Sequence, residues 1–311
     1  MLKQLIDRVV TAPLVGVDVG STTLKVVELA RANGTVLLRR CTVAALEGTD
    51  ATKALKQVCA TTGLAAAQAA LGLASPEVIV RPFQFPTMPK KELESAIQLE
   101  AEQAILNGHS LGGMAIDWHI LSSNGTGGEA VRGLLAVVPK EVLTERLRQA
   151  RAAGLRPSVV DVEGLALWNA FWTLVGSRDT QPKTVLLVNV GAKTTNLVIA
   201  KGPDELILVR DLQLGAAALS GGQEREWVEE IRDSLGYARS KGGLRSLEAA
   251  YLTGGGSSPA VMTALMSTVM VPVEFWNPLK QMGRDADSPA VKDSVGPLLA
   301  VAIGLALRKT A

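Results

Sequence analysis

The chain has 311 residues, of which 47% are apolar and 20% are charged. This length favours two domains or one large split fold, and the chain is too apolar to be disordered. Its 32 basic residues exceed its 30 acidic residues by only two, so no strong field attracts it to nucleic acid or an anionic bilayer. Cys41 and Cys59 have neither CxxC spacing nor histidine partners. This argues against a zinc site or a disulfide framework and favours a reducing compartment.

The N-terminal segment, residues 1–13, predicts a short amphipathic helix, because apolar residues recur at helical spacing between Leu2 and Val10. It lacks the layout of a cleaved export leader. The longest apolar run of the chain, 295–307, is shorter than the roughly 18 residues that a membrane span needs. We therefore expect neither a cleaved leader nor a membrane-spanning helix.

The first strong pattern begins at Leu14, where two apolar runs flank a short turn of glycine, serine and threonine. This pattern predicts a strand, a tight turn and a returning strand. A strand over 35–43, a helix over 49–62 and a strand over 76–81 are predicted next. Three closely spaced prolines then mark a crossing between domains.

Residues 82–155 predict a small inserted domain built from a helix, a hairpin and a second helix. The first helix covers 89–106 and begins at Pro89, since proline is tolerated at the first helical position. Two strands, 115–121 and 131–138, flank a polar turn and predict the hairpin. The second helix covers 140–153 and is ended by a glycine.

The strand, turn and strand pattern occurs a second time over 185–200, so the chain contains an internal repeat. A strand over 157–161 and an apolar helix over 164–175 precede this copy. The later predicted elements are strands over 205–210, 249–253 and 271–275 and helices over 223–241 and 295–308.

Both repeated turns carry residue types that bind phosphate. Glycine lets the backbone approach an anion, small hydroxyl side chains add donors, and an acidic residue at the strand end can hold magnesium through a water molecule. The first turn supplies Asp18, Gly20, Ser21, Thr22 and Thr23. The second turn supplies Asn189, Gly191, Ala192, Thr194 and Thr195, and a later loop supplies Gly254, Gly255, Gly256 and Ser257. The duplicated turns predict a phosphate-binding cleft, with Asp18 as a water-mediated ligand of the metal.

These motifs resemble those of the actin-like ATPase superfamily, whose two halves each begin with such a hairpin. Within that superfamily the chain is similar to the PilM family of type IV pilus assembly proteins, which share an inserted domain with the division protein FtsA. The resemblance begins with VGVDVGSTTLKVVEL at 15–29 and covers nearly the whole chain. The other stretches that carry it are 88–105, 117–121, 134–143, 153–157, 160–167 and 298–308.

The resemblance implies an α/β, actin-like fold with two ribonuclease H-like halves around a nucleotide cleft. The first half would comprise 14–81 and 156–180, with the insert at 82–155. The second half would comprise 181–311, with a subdomain near 201–250 that looks shorter than in the family.

The resemblance also implies binding of ATP and Mg²⁺. Lys25 and the first turn would face the phosphates, Glu163 would lie near magnesium and the attacking water, and Gly254 to Ser257 would line the adenosine. The protein would be cytoplasmic and peripheral at the inner membrane, where its first half would dock the cytoplasmic N-terminal tail of a PilN-like bitopic protein in contact with other platform components.

Two other functions fit the same motifs. One is a small-molecule kinase of the superfamily, which needs a substrate base in the cleft. The other is an adaptor of the FtsA or secretion-system type. Asn189 stands where the superfamily usually has aspartate, and its neutral amide supplies neither a charge nor a base. We therefore expect nucleotide binding, with hydrolysis in doubt.

Overall fold

The computed structural model of the protein describes residues 14–32, 34–46, 49–105, 111–123, 130–175, 183–286 and 288–308. The strands are β1 Val15–Val19, β2 Thr23–Ala32, β3 Thr35–Ala45, β4 Gln68–Leu73, β5 Ile79–Phe85, β6 Met114–Ser123, β7 Val131–Pro139, β8 Arg156–Val162, β9 Thr184–Val190, β10 Thr195–Lys201, β11 Glu205–Leu212, β12 Ala249–Thr253, β13 Val273–Phe275 and β14 Gly283–Arg284. The α-helices are α1 Ala51–Thr62, α2 Lys90–Ala104, α3 Lys140–Ala152, α4 Glu163–Leu174, α5 Ala216–Ser220, α6 Glu224–Ser240, α7 Pro259–Val269 and α8 Ala300–Ala306. Short 3-10 helices cover Leu111–Gly113, Pro278–Gln281 and Asp293–Leu299. The helix predicted near the N-terminus lies outside the described residues.

Two mixed sheets form the two halves of the fold. The first has the strand order β14-β3-β2-β1-β4-β8, and the second has the order β11-β10-β9-β12-β13. Each sheet contains an antiparallel hairpin, β1 with β2 or β9 with β10, whose first strand also pairs in parallel with a later strand. This duplicated arrangement confirms the predicted actin-like architecture.

Helices α4 and α8 pack together between the two sheets, and small residues allow their close approach. A Cβ on Gly304 of α8 would collide with the carbonyl oxygen of Ala166 in α4. A Cβ on Gly16 of β1 would collide with the carbonyl oxygen of Ala302 in α8. Helix α8 therefore fixes β1 and α4 relative to each other, and these two elements carry Asp18 and Glu163.

A third sheet, with the order β5-β7-β6, forms a separate layer in the first half. Helix α2 packs on it through Leu93, Ile97 and Ala101, which share a core with Phe83 and Leu135. Helix α2 and most of this sheet fall within the predicted insert.

The boundaries of this layer differ from the expected 82–155. Strand β5 pairs with β7 from Ile79 onward, so the sheet begins before residue 82. Helix α3 places Ala150 in a core cluster with Val15 and Leu55 of the first half. It packs there because its apolar side faces α1 and β4 and leaves its charged side exposed.

Four elements, β4, α5, α7 and β14, were not predicted from the sequence. Strand β4 is rich in alanine, which has a low β-propensity, and it is held between β1 and β8 by parallel pairing. The helix predicted over 295–308 is a 3-10 helix up to Leu299 and an α-helix only from Ala300. Pro297 lies in the 3-10 turn, where its missing N–H cannot donate an α-helical hydrogen bond. Among the described residues, no helix is long and apolar enough to span a membrane.

Candidate functional site

A cavity of about 340 Å³ lies where the two halves meet. We call it the cleft. The predicted site residues that line it are Asp18, Gly20, Ser21, Thr22, Thr23, Lys25, Glu163, Asn189, Gly191, Ala192, Thr194, Gly254, Gly255 and Gly256. The fold thus brings together the two repeated turns and the glycine-rich loop, which are far apart in sequence.

The two turns have the same backbone geometry. The N–H of Gly20 donates to the carbonyl oxygen of Thr23 at 3.0 Å, and the N–H of Gly191 donates to that of Thr194 at 2.8 Å. A Cβ on Gly191 would lie only 3.0 Å from the same Thr194 oxygen. Glycine therefore allows each turn to close tightly and leaves its backbone accessible to an anion.

Asp18 and Lys25 form an ion pair at the cleft. They are direct cross-strand neighbours on β1 and β2, and Nζ of Lys25 lies 3.1 Å from Oδ2 of Asp18. Both side chains are largely buried, with 14% of Lys25 and 6% of Asp18 exposed. The hairpin register therefore places a cation and a carboxylate together beside the first turn.

Glu163 begins helix α4 and is buried at the cleft. Burial and, to a smaller extent, the negative charges of Asp18 and Asp211 raise the pKa of its carboxyl, and Lys25 and Arg146 lower it. The net result is a pKa of about 8. Glu163 is therefore mainly protonated at neutral pH. In that state it donates a hydrogen bond and does not act as a general base.

Replacing Glu163 with glutamine tests this buried carboxyl. Because its pKa in the folded protein is about 8 and its ordinary value is 4.5, the unfolded chain ionises first as the pH rises. The free energy of unfolding therefore falls between these two pH values. We expect Glu163→Gln to raise the melting temperature by roughly 10 °C at pH 8, with almost no change near pH 4. Equal shifts in melting curves recorded at the two pH values would contradict this prediction.

A row of polar side chains crosses the second sheet at the cleft. Nδ2 of Asn189 donates to Oδ1 of Asn196 at 2.6 Å, and Nδ2 of Asn196 donates to Oδ1 of Asp211 at 2.8 Å. Asn196 also donates to Oε2 of Glu163 at 3.4 Å. Asn196 lines the cleft but was missed by the sequence analysis. The signal was available, since a hairpin that turns at Ala192 places residue 196 opposite Asn189.

Two of the predicted site residues, Thr195 and Ser257, do not line the cleft. The hydroxyl of Thr195 donates to the carbonyl oxygen of Leu214 at 2.6 Å and accepts a hydrogen bond from the indole of Trp227. Its position in the hairpin matches that of buried Leu24 in the first hairpin, so strand alternation turns it into the core. The hydroxyl of Ser257 donates to the carbonyl oxygen of Gly254 at 2.6 Å, within the loop itself.

The cleft suits a magnesium ion that is bound mainly by phosphates. Among the described residues, no group of three or more His, Cys, Asp and Glu side chains is arranged to hold a metal ion. Magnesium bound with a nucleotide keeps several waters and needs only one or two carboxylates. The Asp18 carboxylate lines the cleft, so the side chains present fit this mode of binding.

A second and larger cavity, of about 1230 Å³, lies between the third sheet, β8 and α4. We call it the groove. Strand β6 is terminal in the third sheet and β8 is terminal in the first, so both have a free edge among the described strands. The lining is largely apolar and includes Trp118, Trp168 and Trp172.

Two polar features mark the groove. The indole N–H of Trp172 is buried and finds no acceptor among the described residues. Nε of Arg308 lies 2.6 Å from Oδ2 of Asp161, and both residues line the groove. Burial raises the pKa of Asp161, and the neighbouring Arg308 acts against that shift. The groove thus offers an unused donor beside an apolar surface.

The fold and the cleft define the chain as a protein of the actin-like ATPase class. A Bacteroides thetaiotaomicron protein with actin-like ATPase fold and unknown function matches it with a TM-score of 0.53 at 13% identity, covering 89% of this chain and 94% of that one. The cytoplasmic domain of EpsL, an inner membrane component of the type II secretion system of Vibrio cholerae, matches with a TM-score of 0.50 at 10% identity. That match covers 94% of this chain and 95% of the EpsL domain, and both likenesses concern the fold alone.

The family model of type IV pilus assembly protein PilM matches residues 16–225, and the chain belongs to this family. A solved structure described as a PilM-PilN type IV pilus biogenesis complex matches with a TM-score of 0.79 at 27% identity. The match covers 96% of this chain and 98% of the other. These findings confirm the resemblance that the sequence motifs indicated.

Proposed function

We propose that this protein is an ATP-binding component of the inner-membrane platform that assembles type IV pili, and that it docks the cytoplasmic N-terminal tail of a PilN-like bitopic membrane protein. The observation that carries the proposal is the presence of two separate cavities in a PilM-family fold. The cleft suits a nucleotide, and the groove suits an extended peptide. The protein would work in the cytoplasm, held at the inner membrane by its partner.

The cleft supports binding of ATP with Mg²⁺. Glycine turns from both halves offer backbone N–H groups to phosphate, and Lys25 adds a positive charge beside the first turn. Asp18 is placed to hold magnesium through a water molecule, and Gly254 to Gly256 form the opposite wall, where the nucleoside would lie. When bound, the metal would neutralise part of the phosphate charge.

The same residues favour binding of ATP over its hydrolysis. A general base must accept a proton from the attacking water at the working pH. Asn189 is neutral and cannot accept it, and Glu163, with a pKa of about 8, already carries a proton at pH 7. Nucleotide would then act by occupying the cleft, and the protein would be an adaptor and not a kinase.

The groove supports docking of a peptide tail. The free edges of β6 and β8 can pair with an extended chain, since terminal strands recruit peptides through main-chain hydrogen bonds. Three tryptophans offer apolar contact, and the N–H of Trp172, which is buried in the free protein, would donate to a peptide carbonyl once the bound chain displaces the side chains that cover it. The partner class comes from the similar solved structure, which is described as a complex of PilM with PilN.

A synthetic peptide copying the cytoplasmic tail of a PilN-like protein tests the docking site. We expect it to bind with one peptide per chain in calorimetry and to protect residues 14–155 from proteolysis. Trp172→Phe keeps an aromatic six-membered ring but removes the N–H together with the pyrrole half of the indole, so we expect about tenfold weaker binding. Failure of the native protein to bind any such tail would overturn the docking proposal, whereas native affinity in Trp172→Phe would exclude only the role of that donor.

A further inference from the structure

The polar row across β9, β10 and β11 has a counterpart in the first hairpin. Lys25 is the cross-strand neighbour of Asp18, and Asn196 is the cross-strand neighbour of Asn189 at the equivalent position. The first pair is an ion pair with a 3.1 Å contact, and the second is a neutral amide pair with a 2.6 Å hydrogen bond. Asn189 therefore belongs to a matched pair of neutral side chains.

Asn196 uses both ends of its amide in this arrangement. Its Oδ1 accepts from Asn189, and its Nδ2 donates to Asp211 at 2.8 Å and, more weakly, to Glu163 at 3.4 Å. The side chain is almost fully buried, with 1% exposed, so it has little freedom to choose other partners. It thus connects a β-strand of the second half with the start of α4 at the first half.

The hydrogen bond to Asn196 determines what Asn189 can offer a ligand. One of the two N–H groups of its amide is already used as a donor, and this bond fixes which way the amide is turned. The oxygen Oδ1 remains as the acceptor, and it faces Gly254, where a Cβ would lie 2.6 Å away. A metal-bound water or a hydroxyl group of the nucleotide is the kind of donor that this oxygen can bind.

We propose that Asn196 is a positioning residue of the cleft, which fixes the orientation of Asn189 toward a bound nucleotide and links it to Glu163 on the facing wall. This inference rests on the proposed nucleotide binding. It also explains why an amide suits position 189. An aspartate there would place a third carboxyl group beside Asn196, after Asp211 and Glu163, without a cation like Lys25 opposite it.

A mutant cycle in Mg-ATP affinity tests the proposal. We expect Asn196→Ala and Asn189→Ala each to weaken binding about tenfold, because each removes the same oriented acceptor. The double variant should then bind no more weakly than either single variant. Native affinity in Asn196→Ala, or losses that multiply to about a hundredfold in the double variant, would overturn the inference. Absence of Mg-ATP binding to the native protein would instead overturn the nucleotide site and this inference together.

A polarity swap keeps the proposal testable if Asn196→Ala fails to fold. Asn196→Asp alone sets a carboxylate against Asp211, and we expect at least tenfold weaker binding. Adding Asp211→Asn supplies a donor to the new carboxylate while Asn189 still donates to it, so affinity should return to within about threefold of the native value. A double variant that remains as weak as Asn196→Asp would overturn the inference.

Ser234→Ala is the matched control for loss of a buried hydrogen bond. The Ser234 hydroxyl is 1% exposed, accepts from Arg210 at 3.1 Å and lies outside the lining of the cleft. We expect a lower melting temperature but native affinity for Mg-ATP. An affinity loss as large as that of Asn196→Ala would mean that general destabilisation weakens binding, and this would also overturn the inference.

Discussion

The substitution Ala136→Arg is expected to weaken binding of a PilN-like tail peptide by at least about a hundredfold. Ala136 lies on β7, is partly exposed and lines the groove opposite Asp117 of β6. An arginine there would place a long charged side chain in the space that an apolar peptide has to fill. An arginine that paired with Asp117 would still occupy this space, and removing such an ion pair from water under a bound peptide costs several kcal/mol. Calorimetric titration of the variant with the peptide measures the loss.

Leu99→Arg is the control for this variant. It introduces the same charged side chain at an exposed position of α2 that lines neither the groove nor the cleft, so peptide affinity should remain native. Unchanged Mg-ATP binding by Ala136→Arg would show that the variant is folded. A folded Ala136→Arg protein that binds the tail normally would contradict the assignment of the groove.

Removal of the Lys25 cation at the first turn is expected to weaken nucleotide binding about as much as Ala136→Arg weakens peptide binding. We expect Lys25→Ala to weaken Mg-ATP binding by roughly a hundredfold, since a hydrogen bond to a charged group contributes about 1.5 to 3 kcal/mol. The loss also leaves Asp18 buried without its partner at 3.1 Å, so its charge would oppose the phosphates directly. Calorimetry at fixed magnesium concentration measures this change.

Lys193→Ala is the matched lysine control. Lys193 is at the tip of the second turn, is exposed and does not line the cleft. Its replacement should change Mg-ATP affinity by less than about twofold, because exposed charges are screened by water and salt. Native binding of the tail peptide by Lys25→Ala would show that this variant is folded. Equal losses in the two lysine variants would mean that Lys25 has no specific role at the phosphates.

The repeated turns could be predicted from sequence because their chemistry is local. Glycine, threonine and a strand-end acid follow one another within a few residues, and the fold only has to bring the two copies together. For Asn196 and Thr195, the local sequence pattern does not predict which way the side chain points. Which of two adjacent residues faces the cleft depends on strand alternation and hairpin register, and these turn Thr195 into the core although it was predicted, with Thr194, to lie at the site.

The groove could not be located from sequence, although docking on the first half was expected from the resemblance. Its walls come from β6, β8 and α4, and Arg308 reaches it from the far end of the chain. Taken alone, the sequence of each of these segments is typical of a strand or a buried helix and does not indicate a binding surface. Only the folded structure shows that the N–H of Trp172 lacks an acceptor among the described residues. In the sequence, Trp168 and Trp172 simply have the spacing of a helical packing pair.

The fold could be predicted where the apolar residues follow a clear helix or strand period. It could not be predicted where contacts with neighbouring strands or helices determine the secondary structure. The duplicated hairpins and helix α2 follow directly from their apolar patterns. Strand β4 forms because parallel neighbours flank an alanine-rich segment, which tertiary context stabilises against its own propensity. The end of the inserted layer differs from the expected residue 155, because helix α3 follows the small sheet in the chain but packs on the first half.

The measurement that tests the account most directly is a calorimetric titration of Mg-ATP into the protein already saturated with the tail peptide, followed by a phosphate assay of the same sample. Two separate sites predict that one nucleotide binds per chain while the peptide stays bound. The chemistry of Asn189 and Glu163 predicts that no phosphate is released beyond the buffer control. Absence of nucleotide binding at millimolar concentration, displacement of the peptide by nucleotide, or steady phosphate release would contradict the account.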